Sequence, residues 1–456
     1  DLGEREPGGR ALNRPAAPTG PWARLLARGR ALLAGSPFLA HVMTLVTGTV
    51  VAQGVVFVMT MILTRVYSTQ DYGQFTQYAS VVAIIASVAA LRYDMTIMLP
   101  RQRPWALACA RLGMVCVTVT CLLATLASFP LRPWVFAHWG PGVAAWLPMV
   151  GATAFLLASL QLLQYWYNRE SDYRTISVNR VEQQIGQTVG QLVLGVVGMV
   201  SVGGLILGQT VGQLWAFFNL GYKARPLRAP LPAGSPSLWH VARRYKRMPL
   251  LNGPNVLVDA LRLNGVNLLI GAWSVEALGQ FNLAWRILEV PLALINGAVS
   301  QVFFHKLSTL EPGQMRPLVR LVIKRILVLA LAPFAALYLI SPWLFPLLFG
   351  AQWSDAGYFA RALIPWLFLT LVTSPLSNLF VVAERQDWML GFAVVYAAAP
   401  LAWLYWSPLE LLPTTYVLGA IQAILLMGMI FMADRAAAHF DTPTCSVSDG
   451  HLQEEA

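Results

Sequence analysis

Charge is what this sequence has least of: Asp, Glu, Lys and Arg supply 12% of its 456 residues, about half of the roughly 25% usual in a soluble domain. Water is therefore not the solvent for most of its surface. Cysteine is scarce too, with Cys109, Cys116 and Cys121 in one apolar stretch and Cys445 near the end. No CxxC and no paired His ligands accompany them, so neither a zinc site nor a disulfide framework is expected. No phosphate-binding P-loop is present to power a step with ATP, and no acidic DxD cluster or Ser/His/Asp set stands near a membrane face. Alternating ten-residue strands of the membrane-barrel kind are missing as well.

What the chain does have is hydrophobic residues, 57% of the total, in blocks long enough for helices of about 20 residues that cross a hydrocarbon core. The fold class expected is an all-α integral membrane protein of about twelve transmembrane helices. The net charge of +11 would suggest nucleic acid for a soluble protein; in a membrane protein, positive loops set topology and meet anionic headgroups. Nucleic acid is not an expected partner.

The apolar runs place spans near Phe38–Thr64, Gly73–Leu99, Trp105–Phe129, Val143–Trp166, Val181–Val200 and Gly203–Leu220, and, after a basic linker, near Pro249–Ala272, Leu278–Phe304, Leu318–Ile340, Gly357–Val382, Trp388–Trp406 and Leu409–Ala433. Basic residues gather in alternate connections: Arg5 to Arg30, Arg101 and Arg103, Arg169 to Arg180, Lys223 to Arg247, Lys306 to Arg325, and Arg385. That alternation puts both termini in the cytoplasm and requires an even number of spans. The chain divides into a disordered basic leader (1–36), a six-helix bundle (37–221), a basic cytoplasmic linker (222–247), a second six-helix bundle (248–434) and a polar tail (435–456). The halves echo each other: STQDYGQF at Ser68–Phe75 and SVEALGQF at Ser274–Phe281 each join the first two helices of a set. Six helices return the chain to its starting side, so the repeat is parallel, about an axis along the membrane normal.

Charges inside spans are expensive, from about 2.5 kcal/mol each at a helix centre on insertion scales, and so mark function. Asn252, Asn255, Asp259 and Arg262 fall on one face of the seventh helix, and Asn282, Arg286, Glu289 and Asn296 on one face of the eighth. Two polar stripes imply a shared wet cavity. Ser80, Ser87 and Asp94, with Arg92 nearby, and Gln184, Gln187 and Gln191 suggest that the first half adds to its walls. Each stripe has a plainer reading. Arg262 with Asp259, and Arg286 with Glu289, would make neutral i,i+3 couples that tie helices together; Arg92 and Asp94 lie near a helix end where snorkelling is easy; the glutamines would be interhelical glue. Pro254, Pro291, Pro333, Pro365, Pro375 and Pro400 permit bends, static or mobile.

LTRVYSTQDYGQF, LRYDMTIMLPR at Leu91–Arg101, QYWYNRESDYRTISVNR at Gln164–Arg180, YKRMPLLNGPN at Tyr245–Asn255 and GQFNLAWRILEVPLALINGAVSQVFF at Gly279–Phe304 resemble the polysaccharide transporter family, the O-antigen flippases. The resemblance covers about Phe38 to Lys306. It implies membership of the multidrug, oligosaccharidyl-lipid and polysaccharide exporter superfamily, with two six-helix bundles around a central cavity. It further implies movement of a polyprenyl-diphosphate-linked oligosaccharide, an O-antigen or exopolysaccharide repeat unit, from the cytoplasmic to the periplasmic leaflet of a bacterial inner membrane, without covalent chemistry. Membrane lipids and other polysaccharide assembly proteins would be its partners. On that reading Arg262, Arg286 and Arg92 hold the diphosphate, Asn252, Asn255, Asn282 and Asn296 face the sugars, and Asp259, Glu289 or Asp94 bind a coupling H+ or Na+; no metal or other cofactor is called for.

A multidrug cation antiporter of the same fold is the nearest rival, disfavoured by three arginines against three acids. A lipid II flippase would need two further carboxy-terminal helices. A membrane glycosyltransferase or sugar polymerase would carry large outward loops, whereas the longest here is near Ser341–Ala356.

Overall fold

The computed structural model describes residues 53–54, 57–232, 234–307, 313–382 and 386–441. The expected leader, most of the first expected span and the tail beyond Asp441 lie outside the described residues. Among those described, the long elements are all helices: α1 (Phe57–Val66), α2 (Thr69–Ala89), α3 (Arg103–Trp139), α4 (Val150–Arg169), α5 (Tyr173–Val196), α6 (Val202–Lys223), α7 (Gly253–Trp273), α8 (Val275–Leu307), α9 (Met315–Phe349), α10 (Ser354–Val382), α11 (Gln386–Trp406) and α12 (Leu411–Asp441).

Among the described residues, seven helices are long and apolar enough to cross a membrane: α3, α4, α7, α9, α10, α11 and α12, some with their leading turns. The other long helices, α2, α5, α6 and α8, dilute their apolar residues with Gln, Asn, Thr and Gly. The number twelve remains a reading of the sequence. Leu122, Leu126 and Phe129 on α3, and Val328, Leu329 and Leu339 on α9, stand more than half exposed. Such a face would aggregate in water and is at home in hydrocarbon. The chain is a multi-pass membrane protein.

Local chemistry sets the helix ends. Ser68 and Asp71 form a capping box at α2, Asp71 N–H donating to Ser68 Oγ at 3.1 Å and Ser68 N–H to Asp71 Oδ2 at 3.2 Å. Gly140 (φ +85°) and Gly350 (φ +109°) stop α3 and α9 in a backbone region that favours glycine. At the start of α9, the Asp441 carboxylate accepts N–H bonds from Gly313, Met315 and Arg316 at 2.8–3.0 Å. Asp434 pairs with Arg316 and Arg320 at 2.8 and 2.6 Å, so the end of α12 clamps the head of α9.

Packing in the first half centres on glycines. A Cβ at Gly186 would stand 3.0 Å from Gly212 Cα, and one at Gly190 3.1 Å from Gly208 Cα, letting α5 and α6 form the most extensive helix pair. In the second half α10 is the central helix, with 67% of its apolar window buried against 11% for α9. It packs on α8, α9 and α12.

The two echoing segments meet at the junction. A Cβ on Gly73 would collide with the Val275 carbonyl, and a Cβ on Gly279 with the Thr69 carbonyl. Thr69 Oγ1 donates to Glu276 Oε1 at 3.1 Å across the same joint. Thus α2 packs on both α7 and α8.

Several expected boundaries move. The second helix ends at Ala89, because Leu91 (φ +47°) and Arg92 (φ +61°) take the left-handed conformation. A separate turn of helix, Tyr93–Thr96, follows, so Asp94 does not share a helix with Ser80 and Ser87. Pro130 and Pro133 are absorbed into α3. The stretch Tyr173–Arg180 is helix, not loop, and Ser341–Phe349 is the last part of α9.

Candidate functional site

A cavity of about 560 Å3 opens within the second half, walled by α7, α8, α10, α11 and α12, within the range of about 300–1,000 Å3 usual for small-molecule sites. From α7, Arg262 projects into it. Its Nε and Nη2 donate to Asp259 Oδ1 at 3.0 and 2.7 Å, and its guanidinium lies over the Tyr396 ring at 5.7 Å. One of the two expected i,i+3 couples is therefore present. The other is not: Glu289 accepts a bond from Trp285 Nε1 at 2.9 Å, one helical turn before it, and lines the cavity with no arginine partner among the described residues.

Aromatic rings form a connected wall. Trp285 and Trp366 have centroids 4.8 Å apart, Phe281 stacks on Trp285 at 6.4 Å, and Trp366 Nε1 donates to Tyr396 Oη at 2.6 Å. Amides line the same cavity. Asn264 Nδ2 donates to the Ala260 carbonyl at 2.9 Å and Asn267 Nδ2 to Ser80 Oγ of α2 at 3.1 Å. Asn296 Oδ1 and Gln422 Oε1 are buried with no partner among the described residues, although burying an unpaired polar group costs about 1–3 kcal/mol. Flat apolar faces beside unpaired acceptors suit a ligand with C–H faces and hydroxyl edges.

Of the expected site residues, the cavity gathers Arg262, Glu289 and Asn296. Arg286 is half-buried beside Tyr72 of α2, outside this cavity, and makes no hydrogen bond or ion pair among the described residues. Asn282, on the same side of α8, is also half-buried and does not line it. Asp259 serves as the exposed partner of Arg262, 60% accessible. Asn252 and Asn255 sit too early: a π-helical turn over Met248–Asn252 precedes α7, and the cavity begins only at Arg262. Arg92 and Asp94 occupy the turn after α2. Arg92 donates to the Met95 sulfur, and Asp94 is buried.

The first-half glutamines also fall elsewhere. Gln191 Nε2 donates to the Leu205 carbonyl of α6 at 3.1 Å, and Gln187 and Gln191 lie against Gly212 and Gly208. They bind helix to helix. The residues the stripes did not reveal are Trp285, Trp366, Tyr396 and Gln422. Trp285 carried a signal in its i,i+4 spacing to Glu289, and Gln422 in being a lone amide within an apolar span.

No curated protein sequence matches the chain. Among solved structures, a multidrug resistance MATE family transporter of the MOP superfamily in its inward-facing conformation matches with TM-score 0.66 and 13% identity over 88% of this chain and 96% of that one. The lipid II flippase MurJ in an inward closed conformation matches with TM-score 0.65 and 10% identity over 88% and 91%. A MOP superfamily transporter from Pyrococcus furiosus, in a structure described as having a binding pocket of reversed polarity, matches with TM-score 0.59 and 15% identity over 88% and 96%. The fold is that of the MOP superfamily transporters. Residues 62–357 match the family described as polysaccharide biosynthesis protein, and the chain belongs to that family.

Proposed function

We propose that the protein flips a polyprenyl-diphosphate-linked oligosaccharide, an O-antigen or exopolysaccharide repeat unit, from the cytoplasmic to the periplasmic leaflet of a bacterial inner membrane. On this reading both termini are cytoplasmic, the halves part at the linker 222–247, and the work is alternating access rather than catalysis. The observation that carries it is the second-half cavity, where Arg262, a wall of Trp285, Trp366 and Tyr396, and two unpaired amide oxygens converge. In a polysaccharide biosynthesis protein, pyranose rings match that wall, being apolar on their faces and hydroxylated at their edges.

Arg286 takes the diphosphate. It is a cation held between α2 and α8 with no hydrogen bond or ion pair among the described residues, and guanidinium is well matched to phosphate oxygens. Arg262 assists, with part of its charge already answered by Asp259. Arg92 stands apart from the cavity and contributes only when the headgroup enters or leaves. Asn296 faces the sugars, whereas Asn252, Asn255 and Asn282 meet them on the approach. Of the three acids, Glu289 is the one in the cavity, and it is assigned the coupling H+ or Na+ ahead of Asp259 and Asp94.

Glu289 also favours a second reading, the multidrug cation antiporter, because a carboxylate beside tryptophans, with no basic partner among the described residues, suits an organic cation. One experiment separates the two. The gene is deleted in its host, the leaflet in which lipid-linked glycan accumulates is determined, and wild type or Arg286→Ala is restored. Accumulation on the cytoplasmic face, relieved by wild type and not by the variant, is the expected result. Normal surface glycan with new sensitivity to cationic dyes would replace the flippase with the antiporter.

A further inference from the structure

A second large hollow, of about 850 Å3, lies between α3, α4, α6 and the segment after α6. That segment folds back as two short helices, Arg225–Arg228 and Leu238–Arg244, packed on α3. Two arginines of the hollow are held in place by backbone carbonyls. Arg111 of α3 donates through Nη2 to the Ala229 carbonyl, and Arg228 donates through Nη2 to the Tyr222 carbonyl at 2.7 Å, with its guanidinium over the Tyr222 ring at 5.2 Å. Below them the walls are apolar, with Met114, Leu162 and Phe218, and Gly221 leaves open space where a side chain would stand. Phe218 is 65% exposed, so the hollow is open on its flank.

Charge around it has one sign. Among the described residues no acid lines it, and from Glu182 to Asp259 the sequence contains no other acid, while Lys223, Arg225, Arg228, Arg243, Arg244, Lys246 and Arg247 all fall in that interval. At the same end Trp239 is 78% exposed and Arg244 stacks on Trp105 at 4.9 Å. Tryptophan and basic residues set together mark the headgroup layer of a bilayer.

We propose that this hollow binds an anionic phospholipid, its phosphate between Arg111 and Arg228 and an acyl chain along Met114, Leu162 and Phe218. A soluble anion would use the arginines and leave the apolar walls empty. A zwitterionic lipid would fill the walls and bring its own cation against the arginines. Only an anionic lipid satisfies both, and it would fasten the basic segment to α3. The site is separate from the sugar cavity, so it stands or falls independently of the flippase reading.

Native mass spectrometry of the full chain in neutral detergent tests it, with phosphatidylglycerol and phosphatidylethanolamine as probes. Wild type is expected to retain phosphatidylglycerol preferentially. Arg228→Ala, at an exposed position, should weaken retention about fivefold, and Arg111→Ala with Arg228→Ala about 25-fold. Gly221→Leu, which fills open space, should also displace the lipid while leaving the arginines in place. Excess inorganic phosphate should not compete. Equal retention of both lipids, retention unchanged in the double variant, or full displacement by phosphate would each overturn the proposal.

Discussion

Gln191 in α5 and Gln422 in α12 are the same residue type in two membrane helices, and they meet opposite surroundings. Gln191 donates to the Leu205 carbonyl and lies against Gly208, its amide spent on holding α5 to α6. Gln422, only 1% exposed, leaves Oε1 without a partner among the described residues, in the lining of an aromatic cavity. What separates them is the neighbour: glycines let the α6 backbone come close enough to use the amide, whereas no described residue brings a donor to Gln422 Oε1. For these two glutamines, the open hydrogen bond and not the residue type is what points to the cavity.

The joint between the halves allows the harshest test. Gly279→Val would drive a side chain into the Thr69 carbonyl, backbone that cannot rotate away, and overpacking costs about 1–3 kcal/mol or more. The yield of monodisperse protein should collapse. Gly428→Ala in α12, with nothing near the new methyl, should stay within about 0.5 kcal/mol of wild type. Equal behaviour of the two would mean that the halves do not meet through this joint.

Next in size is the contrast between two arginines. Arg286→Ala removes a guanidinium with no hydrogen-bond partner among the described residues; two charge-assisted bonds of about 1.5 kcal/mol each make a loss near a hundredfold in transport. Arg262→Ala removes one already shared with Asp259 and Tyr396, and the expected loss is nearer tenfold. Transport of lipid-linked glycan in reconstituted vesicles measures both. A larger loss at Arg262 would reverse the assignment of the diphosphate.

Much of this arrangement can be read from the residues alone. Apolar runs located the long helices, and i,i+3 and i,i+4 spacing singled out Arg262, Glu289 and Asn296 because those rules hold within one helix. Spacing could not say that Glu289 takes Trp285 rather than Arg286, since both lie within reach on the same turn. Nor does it foresee the left-handed Leu91 and Arg92, or the π turn at Met248–Asn252 that precedes the regular part of α7. Trp366, Tyr396 and Gln422 come from three different helices far from α7 and α8 in the chain, so only packing brings them to the site.

The smallest predicted effects bear most directly on the two glutamines, because one substitution should act with opposite sign at the two places. Gln422→Leu removes a buried acceptor that nothing satisfies, so thermal stability in detergent should rise, by up to about 1–3 kcal/mol, while glycan transport falls roughly tenfold for want of a hydroxyl partner. Gln191→Leu removes a bond that is made. Interhelical hydrogen bonds in membranes average about 0.6 kcal/mol, so stability should drop by that order, by more if the longer contact with Gly208 is disturbed, and transport per folded molecule should not change. Melting curves and vesicle transport on both variants decide it. Lost transport with Gln191→Leu at unchanged stability would put α5 back among the cavity walls, and lost stability with Gln422→Leu would mean that its oxygen is answered within the folded protein, leaving the sugar without its acceptor.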